Sequence, residues 1–134
     1  MNTRIVKMDD VKVKLSMLWI VVMFNMLKAD ILSMYIPGAL EEVVEFAGDT
    51  PVTQIMLGAA IIMEISIAMI FLPWVLKYRI NRWANIIVGV LTIVWIWAGG
   101  ATYPHYIFIA TVETVCLLLI VWYAWKWPAP EGQS

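Results

Sequence analysis

The chain is 134 residues long, 63% hydrophobic and only 14% charged, with a formal net charge of −1. An ordinary soluble domain is roughly 45–50% apolar and ~25% charged; the excess here, with a mean hydropathy of +0.83, calls for a solvent other than water. The near-neutral charge excludes a basic face for nucleic acid, and a single cysteine, Cys116, excludes an internal disulfide or a paired-thiol redox centre.

Four long apolar stretches follow one another. The first, about residues 15–35, comes after a charged leader carrying Arg4, Lys7, Lys12 and Lys14. It is longer than the apolar core of a signal peptide, and no small-x-small cleavage site follows, so it reads as a span. Residues 36–52 form an acidic loop opened by Pro37-Gly38 and carrying Glu41, Glu42, Glu45 and Asp49. If Pro37 to Phe46 is an amphipathic helix, it lies over the mouth of whatever the helices enclose. The second span covers about residues 53–76 and ends in the KYRINR run from Lys77, expected as a loop. The third covers about 83–101, and a short Thr102–His105 turn leads to the fourth, about 106–127. Each is close to the ~20 residues that cross ~30 Å of hydrocarbon. The runs are too continuous for period-two strands, and backbone amides in lipid must be satisfied within their own segment. The expected fold is all-α, an integral membrane four-helix bundle forming one transmembrane domain over residues 1–134.

Eight of the nine Lys/Arg residues fall on one side of this layout, and the acidic loop and the Thr102 turn carry none. The positive-inside rule then places both termini in the cytoplasm, with the bacterial inner membrane as the location. Trp19, Trp74, Trp83, Trp122, Trp125 and Trp127 fall near the cytoplasmic boundary, as an aromatic belt would. Tyr35, Tyr103 and Tyr106 mark the outer boundary, while Trp95 and Trp97 lie deeper.

Charges inside spans are costly and face the bundle interior or a cavity. Lys28, Asp30, Glu64 and Glu113 are such charges, with Asn25 beside them and His105 at the rim. Glu64 is the deepest, near the midplane, on a small-residue stripe with Ala60 and Ala68. Glu113 shares a face with Tyr106, Ala110 and Cys116. On span one, Trp19, Met23, Met26, Asp30 and Met34 form one stripe. On span three, Asn85, Gly89, Thr92, Ile96 and Gly99 form a packing seam. The inner half offers only Asn85 among strongly polar groups. Glu64 and Glu113 are expected to face each other across the interior, with Asp30 or Lys28 in reach, forming one outward-opening cavity in which Glu64 carries the proton. Each is followed 13 residues later by a lysine, Lys77 and Lys126, which hints at two hairpins related by an axis along the membrane normal.

No P-loop, GxGxxG, HExxH or GxSxG occurs, so no catalytic residue is assigned. One rim histidine excludes bis-histidine haem ligation within the chain, and the scattered acids with one His and one Cys have no zinc-site spacing. No metal or cofactor is expected. Three classes stay open: binding or translocation of a small ligand, cation or proton; acid–base chemistry on a lipid or quinone; and an accessory subunit packed against a membrane partner or a second copy. The lipid bilayer is the one certain partner.

The runs LSMLWIVVMFNMLKADILSMYIPG, NRWANIIVGV and PHYIFIATVETVCLLLIVWYAWKWP carry Lys28-Ala29-Asp30, Arg82-Trp83-Ala84-Asn85, Pro104-His105-Tyr106 and Glu113. With Met63-Glu64 they resemble a family of small bacterial four-helix membrane proteins known only as a domain of unknown function. The resemblance covers about Leu15 to Pro128 and implies the four-helix fold and a membrane location, without an activity. In layout the chain is also similar to the DoxX-like membrane proteins, which are accessory or quinone-linked.

Overall fold

The computed structural model describes the backbone of residues 3–98 and 103–128, with side chains from Asp10 onward. Five α-helices run α1 Thr3–Met34, α2 Ala39–Ala47, α3 Val52–Phe71, α4 Tyr78–Ala98 and α5 Pro104–Trp125. Four of them are long and apolar enough to cross a membrane: Asp10–Met34, Val52–Trp74, Tyr78–Ala98 and Pro104–Trp125. Gly99 and Thr102, expected to close the third-span seam and open the last turn, lie outside the described residues.

Proline and glycine set the boundaries. The last amides of α1 tighten, Tyr35 N–H bonding Leu32 O and Ile36 N–H bonding Ser33 O, both at 3.1 Å, before Pro37 ends the helix. Gly38, at φ +88°, makes the left-handed turn into α2, a conformation that favours glycine. Glu41 and Glu42 sit in the first turn of α2, where carboxylates suit the helix dipole. The helix is amphipathic: Leu40, Val43, Val44 and Ala47 share one arc, the three glutamates another. Pro73 ends α3 in a single 3-10 turn, Leu72–Trp74.

The basic run is mostly not a loop. Only residues 75–77 connect the turn to α4, and Tyr78 to Arg82 are helical. Their side chains explain why. Asn81 Nδ2 donates to Pro73 O at 2.8 Å, Tyr78 Oη to Trp127 O at 2.6 Å, and Arg82 to Ala124 O and Trp125 O at 3.1 Å each. Arg82 thereby caps the last carbonyls of α5, groups that a helix leaves without intrahelical partners. It also sits 5.7 Å from the Trp83 ring centroid and 5.2 Å from that of Trp125.

The chain runs up, down, up, down, so α1, α3, α4 and α5 share a basic end (Lys14, Lys77, Arg79, Arg82, Lys126) and an acidic end, where Glu41, Glu42 and Glu45 of α2 lie. α5 is the central helix, packed between α1 and α4; α3 leans on α1 and barely meets α4. The α1 face is Leu15, Trp19, Val22, Met26 and Ala29, spaced 4-3-4-3, and the α5 face is Ala110, Glu113, Leu117, Ile120 and Ala124, spaced 3-4-3-4. That rhythm is the seam of left-handed helix packing. The expected α1 stripe is therefore rotated by about one residue: Trp19 and Met26 are inside, whereas Asp30 and Met34 are exposed. Gly89 permits the close α4–α5 approach, since a Cβ there would lie 3.1 Å from Val121 Cγ2.

Candidate functional site

Two polar regions occupy opposite ends of the bundle. At the basic end, Trp19 Nε1 donates to Asn85 Oδ1 at 2.9 Å. Asn85 Nδ2 in turn donates to Asn81 O at 2.8 Å and Asn81 Oδ1 at 2.9 Å. Ser16 Oγ donates to Ile70 O at 2.9 Å, tying α1 to α3. Nearer the middle, Thr92 gives its hydroxyl proton to Val88 O at 2.7 Å, so Ser66 is the donor in the 3.3 Å contact between the two hydroxyls. Trp19, Asn81 and Asn85 are all 0% exposed, and the indole N–H of Trp127 is left without a partner. The half at the basic end thus holds far more than Asn85. Asn81 and Asn85, at i and i+4, were the available signal, hidden because Asn81 was expected in a loop. Trp19 and Trp127 are buried and leave the expected aromatic belt, whereas Trp74, Trp83, Trp122 and Trp125 stay exposed.

This network is almost fully paired, which marks it as structural. Buried polar groups in lipid-embedded proteins need partners, and all of these except the Trp127 indole have them.

The acidic end differs. Glu113 is 3% exposed, nine residues from the start of α5, or ~14 Å along the helix at 1.5 Å per residue. Its Oε1 is enclosed and has no hydrogen-bond partner. Asp30 lies within electrostatic range of Glu113, one turn from the Ser33 that meets His105 between α1 and α5, and Tyr106 and Cys116 are on the Glu113 side of α5. The Tyr106 hydroxyl is taken, donating to Ile96 O at 2.7 Å. Asp30 is exposed on its outer side, so the pair joins one enclosed carboxyl to one open carboxyl.

His105 lies above this pair at the rim, its Nε2 3.1 Å from Ser33 Oγ, stacked on Tyr103 at 5.8 Å between centroids. The Tyr103 phenol is held above its usual pKa by the neighbouring Glu42 carboxylate of α2, although its enclosed hydroxyl meets no partner in full hydrogen-bond geometry. The α2 helix therefore reaches the rim residues.

The remaining expected site residues are elsewhere. Glu64 does not face Glu113: it is exposed on the outer surface of α3, as are Ala60 and Ala68. The physical reason is that α3 is apolar on every side and packs by only a few residues, Ser66 and Met69 being the buried ones. Glu64 and Glu113, paired by their 13-residue spacing to a lysine, therefore sit in unlike surroundings, one exposed and one buried. Lys28 is exposed, with no ion pair among the described residues. Asn25 turns its amide back to Val21 O at 2.8 Å on its own helix. Among the described residues no group of three or more His, Cys, Asp or Glu is placed to hold a metal. Two shallow apolar grooves open to the surroundings at the basic end, one bounded by Lys14, Leu18 and Tyr123, the other by Arg79, Trp83 and Ile87; neither touches Asp30, Glu64 or Glu113.

Comparison with protein families places residues 3–133 in a family of unknown function, DUF6326. The chain belongs to this family. No curated protein and no solved structure matches it, so the likeness to DoxX-like proteins rests on helix number and layout alone. DUF6326 carries no assigned activity, and the four long apolar helices are compatible with a multi-pass membrane protein.

Proposed function

We propose that this member of DUF6326 is an inner-membrane protein that binds a proton or a small monovalent cation at the Asp30–Glu113 pair and passes it inward from the acidic end. In this reading both termini are cytoplasmic and the pair opens outward. The observation that carries it is the buried, unpaired Oε1 of Glu113, at the end of the bundle where Asp30 supplies a second carboxylate within electrostatic range. Two carboxylates without a cation between them leave uncompensated charge in a low-dielectric site, and such intramembrane acids are functional by default. A shared proton or monovalent cation halves that charge, leaving one negative charge spread over two carboxyls, and supplies the missing partner. Asp30, open on one side, is the entry group; Glu113 holds the ion. The rim of Ser33, His105, Tyr103 and Glu42 forms the mouth. Lys28 and Asn25 lie on the approach along α1 and outside the pair. Glu64, remote from it in this fold, is not part of the ion site.

The purified protein in proteoliposomes, with a pH-sensitive dye inside and an imposed Na⁺, K⁺ or pH gradient, tests this. Ion movement should be lost in Glu113→Gln and at least tenfold slower in Asp30→Asn, with Glu64→Gln like the wild type. Equal rates in Glu113→Gln and wild type would refute the reading.

A further inference from the structure

The outer face of α3 carries a second pattern that the ion site does not use. Thr53, Leu57, Ala60, Glu64, Ile67 and Phe71 are all exposed and spaced 4-3-4-3-4. This is the same seam rhythm by which α1 and α5 already pack inside the bundle. It runs the length of α3, the least enclosed of the four long helices, with 11% of its span window buried against 28–33% for the others. Its centre is Glu64, 12 residues from Val52 and 10 from Trp74, with no hydrogen bond or ion pair among the described residues. A carboxyl at mid-depth facing hydrocarbon is the least tenable placement for that group, so something polar must meet it at the same depth.

We infer that two copies of this chain associate through α3, seam against seam, with Glu64 facing the Glu64 of the second copy. Two copies inserted in the same direction are related by a two-fold axis along the membrane normal. Such an axis sets every residue opposite its own counterpart at equal depth. The partner of a mid-membrane glutamate is then another mid-membrane glutamate. Two carboxyls that share protons are self-complementary, each offering a donor and an acceptor. Ala60, one turn from Glu64, allows the backbones to come close there, as small residues do at helix contacts in lipid. A single polar residue in an apolar seam is also the device that fixes register and oligomer state. This inference is independent of the ion site, because Glu64 and Glu113 lie on different faces of the molecule.

The test uses the full chain in nanodiscs drawn directly from native membrane, on a Cys116→Ser background. Single cysteines at Ala60 and Ile67 should form disulfide-linked pairs at twice the 15.3 kDa chain mass. A cysteine at Ile62, about 160° around the helix from Glu64, should not. Single-molecule photobleaching of the fluorescently tagged wild type, which needs no cysteine, should show two steps. Glu64→Gln, which keeps a donor and an acceptor, should also show two. Glu64→Leu should associate about three- to twentyfold more weakly, the range that interhelical hydrogen bonds in lipid give. Equal cross-linking at Ile62, one bleaching step in the wild type, or an adduct with the mass of a different protein would each overturn the inference.

Discussion

The contact between Trp19 and Asn85 predicts a coupling that can be measured. Trp19→Phe keeps a flat ring and removes the indole N–H, leaving Asn85 Oδ1 without its donor. Asn85→Ala removes the acceptor of Trp19 and also the donor that serves Asn81 Oδ1. An orphaned buried polar group costs about 1–3 kcal/mol, so the asparagine variant, which leaves two, should lose roughly 2–6 kcal/mol and the tryptophan variant about 1–3 kcal/mol. The pairwise term is smaller. Interhelical hydrogen bonds in membrane proteins average about 0.6 kcal/mol and reach about 1.7 kcal/mol. Because Trp19 and Asn85 are both fully enclosed by protein, lipid and water cannot supply substitutes, and the coupling should fall in the upper part, about 1–1.7 kcal/mol. Reversible unfolding of the wild type, both single variants and the double variant in mixed micelles of rising SDS content, followed by far-UV circular dichroism, gives the cycle. The far-ultraviolet readout is needed because one variant removes a fluorophore. Additivity within about 0.3 kcal/mol, the agreement expected of independent sites, would refute the view that this contact locks α1 to α4.

Two further outcomes follow from the geometry. On a Cys116→Ser background, cysteine at Glu45 should react with an impermeant maleimide from outside intact cells and cysteine at Lys77 only after lysis; the opposite pattern would invert the membrane orientation. The Tyr103 phenol, raised by the Glu42 carboxylate, should titrate above pH 10 in an ultraviolet difference titration against Tyr103→Phe, and Glu42→Gln should bring it back toward 10. A raised phenol is favoured neutral in the folded state. Its contribution is therefore full below the ordinary phenol pKa and is lost as pH rises through the folded value. An unchanged midpoint in Glu42→Gln would remove the link between α2 and the rim.

The four long helices were legible because twenty-residue apolar runs bounded by Pro and Gly admit little else. Depth was legible too, since residues counted from a helix end give distance along it, and this put Asp30, Glu113 and His105 at one end together. Rotation about the axis was not. α5 could be oriented because Ala110 and Glu113 sit in a face of mixed size, but α3 is apolar all round, and the Ala60-Glu64-Ala68 stripe fits a lipid-facing side as well as an inward one. For Trp19 the aromatic-belt expectation competed with packing, and packing won because Asn85 offered an acceptor across the bundle. The KYRINR run looked like a loop by charge. Its helical fate depends on Pro73, Ala124 and Trp127, which lie at other points of the chain.

The uneven distribution of satisfied polar groups along the axis has a mechanical consequence. Four helices knotted together at one end, and joined at the other only by separate single bonds such as Tyr106 to Ile96, Trp97 to Thr114 and His105 with Ser33, behave as a tuning fork: deflection grows with distance from the clamp. Thermal splaying of the tines would admit water to Glu113 first, while leaving the Trp19–Asn85–Asn81–Pro73 knot shut. Amide hydrogen exchange should then be graded along each helix, fastest near Ser33 and Tyr106 and slowest near Asn85. A gate of this kind needs no hinge residue, because the handle and the prongs are the same four helices.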